Sequence, residues 1–139
     1  MNDRFFLDTN IIVYSFDASA PKKQTVAREL IADALDKGIG IISFQVVQEF
    51  LNVALKKFKQ PLSAAQSRIF LDEVLLPLCE VYPDNEFYRG ALTIKDRFGF
   101  SWYDSLIVHA AALAGCTTLY SEDLQHGFVL SELTIVNPF

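Results

Sequence analysis

The stretch Phe5-Phe6-Leu7-Asp8-Thr9-Asn10 decides how the rest of the chain is read. Arg4 to Leu7 is a brief, mostly apolar run that reads as a short strand of the kind a parallel sheet covers on both faces. An acid follows at once, in a tripeptide that suits a turn or a helix cap. A carboxylate at the end of a buried strand is costly unless something compensates it. Three further acids stand within or beside apolar sequence: Glu49 in Val46-Val47-Gln48-Glu49-Phe50, Asp104 in Trp102-Tyr103-Asp104-Ser105-Leu106, and Asp123 in Leu119-Tyr120-Ser121-Glu122-Asp123-Leu124.

Outward from the opening strand, short strands alternate with helices. Residues 17–23 form a polar loop with Pro21 near a helix start. Val26, Leu30, Ile31, Ala34 and Leu35 recur at helical spacing over residues 24–36, and Lys37-Gly38 ends that helix. Residues 39–43 read as a second strand and residues 44–58 as an amphipathic helix. Ser63 caps a helix over 64–75, and Asp84 and Ser101 cap two more, the last closed by Gly115. Residues 80–82, 117–121 and 133–136 supply the remaining strands. This alternation predicts a three-layer α/β/α sandwich around a mainly parallel, roughly five-stranded sheet, with residues 1–139 forming one domain. Such sheets bind ligands outside the carboxyl ends of their strands. Asp8 ends the first strand and Asp123 follows the fourth. Glu49 lies in the helix after the second strand, and Asp104 in the first turn of its own helix. One sheet edge would gather all four.

Composition fits this reading. Hydrophobic residues make up 51% of the 139, twelve of them Phe, which is ample for one core. The longest apolar run, residues 106–116, contains His109 and is too short to span a bilayer. The opening Met1-Asn2-Asp3-Arg4 lacks the basic lead and long apolar region of a signal peptide, so a soluble cytoplasmic protein without membrane contact is expected. Cys79 and Cys116 are far apart and near no His, which makes them buried free thiols. The net charge of −5 argues at first against a nucleic-acid partner. All twelve Lys and Arg, however, lie in residues 1–97, while residues 98–139 carry Asp104, Glu122, Asp123 and Glu132. Bound cations would cancel part of that acidic excess.

Each acid also has an ordinary reading. Asp8 suits a cap or turn, Glu49 a helix surface, Asp104 a capping box with Ser101, and Asp123 a loop. His109 reads as a packed core residue rather than a base, and His126 as a loop residue. Trp102 and Tyr103 either stack on bases or pack in the core. Joint occurrence at one predicted edge favours a site. Two carboxylates ~4 Å apart repel by about 4 kcal/mol at an effective dielectric of ~20, so a cluster calls for a cation.

In this order and spacing the residues resemble the PIN-domain family, and within it the small VapC-type toxins of bacterial toxin–antitoxin pairs. The family opens with a strand ending in Asp-Thr-Asn, here Leu7-Asp8-Thr9-Asn10-Ile11. Glu49 matches its acid in the helix after strand two, and Asp104 in Tyr103-Asp104-Ser105-Leu106-Ile107 matches its acid opening an Ala-rich helix. Ser121-Glu122-Asp123 matches its Thr/Ser-x-Asp turn, with Ser where the family often has Thr. The resemblance covers essentially the whole chain. It implies a metal-dependent endoribonuclease that uses Mg2+ or Mn2+, a homodimer, and a cognate antitoxin that blocks the site. Asp8 would be the central ligand, Asp104 and Asp123 would complete the site, and Glu49 would bind metal or orient water. Thr9, Asn10 and Ser121 would hold carboxylates or phosphate from behind, and whether Glu122 shares the role of Asp123 stays open. An aspartyl-phosphate phosphatase wants a second acid at position 10, which is Asn, and a receiver domain wants a Lys late in the chain, which is absent. The alternative of another class is a non-catalytic RNA-binding or protein-interaction module.

Overall fold

All three residues of β1 (Phe5–Leu7) and all four of β2 (Gly40–Ser43) are buried, which requires a covering layer on each face of the sheet. The remaining strands are β3 (Cys79–Val81), β4 (Thr118–Tyr120), β5 (Val129–Leu130) and β6 (Leu133–Val136). The computed structural model describes residues 3–139, and its strands run in the order β3-β2-β1-β4-β6-β5. β1 pairs in parallel with β2 and β4, β2 with β3, and β4 with β6; β5 runs antiparallel to β6. The predicted α/β sandwich with a mainly parallel sheet is therefore the fold.

The strand count is six rather than about five. The added member is β5, two residues that fold back on β6 through a turn at Ser131-Glu132, with Ser131 at φ 53°. A two-residue strand is too short to show alternation, and no Gly or Asn marks its turn.

Seven helices cover the sheet: α1 (Thr9–Tyr14), α2 (Pro21–Lys37), α3 (Phe44–Lys56), α4 (Ala64–Phe70), α5 (Leu76–Leu78), α6 (Asn85–Phe98) and α7 (Trp102–Leu113) among the described residues. Gly38 and Gly115 end their helices as predicted, with left-handed φ of 65° and 74°, and Gly99 does the same after α6 at 77°. Ser63 forms a full capping box with Gln66, and the Asp84 carboxylate accepts the Phe87 N–H. The helix predicted over 64–75 does not stop before Pro77. A π turn over Leu71–Leu75 joins α4 to α5. Pro77 has no N–H and its ring would strike the carbonyl four residues back, so the widened turn lets the helix pass it.

Phe16, Phe50, Phe58 and Phe70 interlock with ring centroids 5.0–6.1 Å apart, fixing the end of α1 against α3 and α4. α6 and α7 approach closely because Gly90 has no side chain: a Cβ there would lie 2.2 Å from His109 Nε2. His109 itself packs on Phe87 at 5.1 Å between ring centroids, and burial lowers its pKa, so it is a packed residue as expected. Cys79 and Cys116 are buried free thiols, the latter pushed up to about 11 by burial. Among the described residues no helix is long and apolar enough to cross a membrane.

Candidate active site

β1 lies between β2 and β4, so chain order reverses direction across the β1–β4 pair. Sheets of this kind open a crevice at such a switch point. The two strands stay zipped to its floor, with the Asp8 N–H donating to the Tyr120 carbonyl at 3.0 Å. Immediately beyond, Asp8 turns the chain into α1, its Oδ1 accepting the Thr9 N–H at 2.7 Å. Ser121 follows β4 and is fully buried. Its Oγ donates to Asp8 Oδ2 at 2.7 Å and accepts the main-chain N–H groups of Asp123 and Leu124, each at 3.2 Å.

Asn10 ties the two acids together. Its Nδ2 lies 3.4 Å from Asp8 Oδ2, 3.4 Å from Ser121 Oγ and 3.2 Å from Asp123 Oδ2. Its Oδ1 accepts the Glu122 N–H at 3.2 Å. One amide thus bridges carboxylates that are 115 positions apart in sequence numbering, from 8 to 123. Asp8 is only 9% exposed. Its carboxyl is raised to about 6, first by burial, with the hydrogen bonds from Ser121 and Thr9 pulling down and the charges of Glu49 and Asp123 pushing up. The Thr9 hydroxyl is buried and has no hydrogen-bond partner among the described residues.

The other acids sit differently. Glu49 is exposed on α3, and its charge is felt at Asp8. One turn earlier on the same face, Gln45 donates from Nε2 to the Tyr103 carbonyl at 3.3 Å. That bond ties α3 to the first turn of α7, where Asp104 is half-buried. The Asp104 N–H donates to Ser101 Oγ at 3.2 Å, but the return bond of a capping box is not formed. Neither the Glu49 nor the Asp104 carboxylate has a hydrogen-bond or ion-pair partner among the described residues. No three His, Cys, Asp or Glu among the described residues stand close enough to enclose a metal ion. Of the four acids expected to converge, the structure brings Asp8 and Asp123 together through Asn10 with Glu49 in electrostatic range, while Asp104 is bonded to none of them.

Glu122 faces elsewhere. Its carboxylate accepts from Tyr14 OH at 2.7 Å and from Lys23 Nζ at 2.6 Å, and these bonds hold it below the usual carboxylate range. Tyr14, Lys23 and Gln45 were not singled out as site residues by sequence. Position offered a signal for two of them: Tyr14 is one helical turn beyond Asn10, and Gln45 one turn before Glu49. Tyr103 is exposed, and Trp102 stacks on Tyr88 with ring centroids 6.4 Å apart.

Carboxylate, amide and hydroxyl oxygens suit a hard divalent cation that keeps several of its waters and takes one or two carboxylates. The raised Asp8 carboxyl is the strain such an ion relieves, so these residues fit one.

Acids at the switch point of a mainly parallel sheet place the chain among α/β proteins with an acidic site at the carboxyl ends of their strands. The PIN domain family profile matches residues 5–128, and the chain belongs to that family. It is 30% identical over 122 residues to Ribonuclease VapC7 of Mycobacterium tuberculosis, covering 84% of this chain and 80% of that one. In architecture it resembles the toxin–antitoxin complex from Klebsiella pneumoniae, with a TM-score of 0.68 at 14% identity, over 96% of this chain and 97% of that one. It also resembles the sarcin–ricin loop cleaving toxin VapC20 of Mycobacterium tuberculosis, with a TM-score of 0.59 at 17% identity, over 86% and 89% of the two chains.

Proposed function

We propose that this chain is a divalent-metal-dependent endoribonuclease, the toxin of a toxin–antitoxin pair, acting as one domain in the cytoplasm. The observation that carries the reading is the buried Asp8 carboxyl, raised to about 6 and bridged through Asn10 to Asp123 at the sheet's switch point. Asp8 and Asp123 would hold Mg2+ or Mn2+, with Asp104 joining from the α7 N-terminus. When bound, the ion supplies charge stabilisation at the phosphate and a water of lowered pKa. Ser121 and Thr9 keep Asp8 oriented. Asn10 keeps Asp123 beside it. Glu49, exposed and without a partner, orients the attacking water or adds a ligand. The free amides of the α7 first turn receive a phosphate oxygen beside Asp104. Attack by water leaves 5′-phosphate and 3′-hydroxyl ends and no cyclic phosphate.

The partners that go with this reading are an RNA substrate, a cognate antitoxin and a second copy of the chain. A structured RNA loop is the substrate class suggested by the sarcin–ricin activity of VapC20. Purified protein incubated with RNA and Mg2+ or Mn2+ should cut it, and EDTA or Asp8→Asn should abolish cutting. Cleavage that survives either change sinks the proposal. The second reading, a non-catalytic RNA-binding or interaction module, draws support from the lack of a ready three-ligand cluster. RNA retained uncut at every metal concentration would favour it.

A further inference from the structure

Two acids stand side by side after β4, and only one faces Asp8. The other, Glu122, is held by two donors from different helices: Tyr14 OH of α1 at 2.7 Å and Lys23 Nζ of α2 at 2.6 Å. Lys23 Nζ also lies 3.3 Å from Tyr14 OH, 4.8 Å from the centre of the Tyr14 ring and 5.6 Å from that of Phe139. Phe139 in turn packs edge-on against Tyr14 at 5.0 Å. Behind the carboxylate, the Glu122 N–H is fixed to Asn10. The turn 121–123 is therefore pinned at its hydroxyl by Asp8, at its backbone by Asn10 and at its middle side chain by Tyr14 and Lys23. Two of these anchors belong to α1, which Asp8 itself starts.

We propose that Tyr14, Lys23 and Glu122 form a latch that sets the position of Asp123 against Asp8, making Lys23 and Tyr14 positioning residues for divalent-ion binding. The inference rests on the metal-site reading above. A half-exposed ion pair of this kind contributes little to overall stability. Its effect here is geometric, because carboxylates that share an ion must be held at fixed separation, and outer partners of ligands change metal affinity by about 10–100-fold. Lys23 gives the latch a signature. Simple charge arithmetic says that removing a nearby cation should tighten binding of Mn2+. A latch says the reverse.

The test measures the dissociation constant of Mn2+ by electron paramagnetic resonance on the purified full chain, with thermal melts to confirm folding. Wild type is compared with Lys23→Met, Lys23→Arg, Glu122→Gln, Tyr14→Phe and Asp8→Asn. The latch requires about tenfold weaker binding in Lys23→Met and Glu122→Gln, a smaller loss in Tyr14→Phe, and retention within about twofold in Lys23→Arg. Tighter binding in Lys23→Met with weaker binding in Glu122→Gln would make Glu122 a ligand and overturn the latch. Unchanged binding in all latch variants, with Asp8→Asn abolishing it, overturns the latch and leaves the metal site standing. Wild type that takes up no Mn2+, or Asp8→Asn that binds as wild type does, overturns both.

Discussion

Ser121 shows how much a single small side chain carries here. Its hydroxyl gives one hydrogen bond to Asp8 and takes two from the backbone of the turn that follows. Ser121→Ala leaves the Asp123 and Leu124 N–H groups without that acceptor, and should cost about 1–3 kcal/mol in chemical denaturation. The same change should raise the Asp8 carboxyl further, since the Ser121 bond is the main influence pulling it down. Asp8 also makes a prediction about pH. Its carboxyl moves from 3.8 to about 6 on folding, so between those values the folded chain holds more protons than the unfolded one. Stability of the metal-free protein therefore falls as pH rises through that window, by about 3 kcal/mol in all, and levels off above it. Urea titrations in EDTA from pH 4 to 7 should show this fall in wild type relative to Asp8→Asn; parallel profiles would refute it. Asp8 and Asp123 are legible in sequence because an acid at the end of an apolar strand stands out. Glu122 is not, since its neighbour has the same charge and only the positions of Tyr14 and Lys23 distinguish the two.

At the scale of elements, the helix pair α6–α7 depends on one missing methyl group. Gly90→Ala would set a Cβ 2.2 Å from His109 Nε2, so the helices must part or the imidazole must leave its seat against Phe87. Overpacking of this kind costs about 1–3 kcal/mol. Removing the imidazole in the same chain, Gly90→Ala with His109→Ala, should recover part of the loss; additive losses in denaturant midpoints would show that the contact is not the cause. Strands and helices were readable wherever local chemistry repeats. Ser63, Asp84, Ser101 and the left-handed glycines mark ends within a residue or two. Two features escaped for physical reasons. β5 spans a single two-residue period of a strand, too little to show alternation. The π turn before Pro77 arises only because packing holds the helix on course past a residue that ordinarily ends one.

Over the whole molecule, the Asp8–Asp123 pair lies at one rim of the sheet with Glu49 in electrostatic range, and the proposed ion would link stability to solution conditions. Mn2+ at about tenfold above its dissociation constant should stabilise the folded chain by about 1.4 kcal/mol, a rise of about 3–5 °C in Tm. EDTA should reverse the rise and Asp8→Asn should lack it; an equal rise in that variant would place the ion elsewhere. Thiol chemistry should be silent by contrast. With Cys116 raised to about 11 and Cys79 raised as well, both by burial, neither should react with a thiol reagent until the chain unfolds. Rapid labelling of the folded protein would contradict the burial of both.

The hydrogen bond from the Ser121 N–H to the Val136 carbonyl has a temporal meaning. Val136 emerges during synthesis after every acid of the rim has already been made. Until β6 docks along the outer side of β4, the turn bearing Asp123 has one tether fewer. A purified chain truncated after residue 130 should therefore hold Mn2+ less tightly than the full one. The last-formed parallel pairing would then act as the step that completes the proposed metal site.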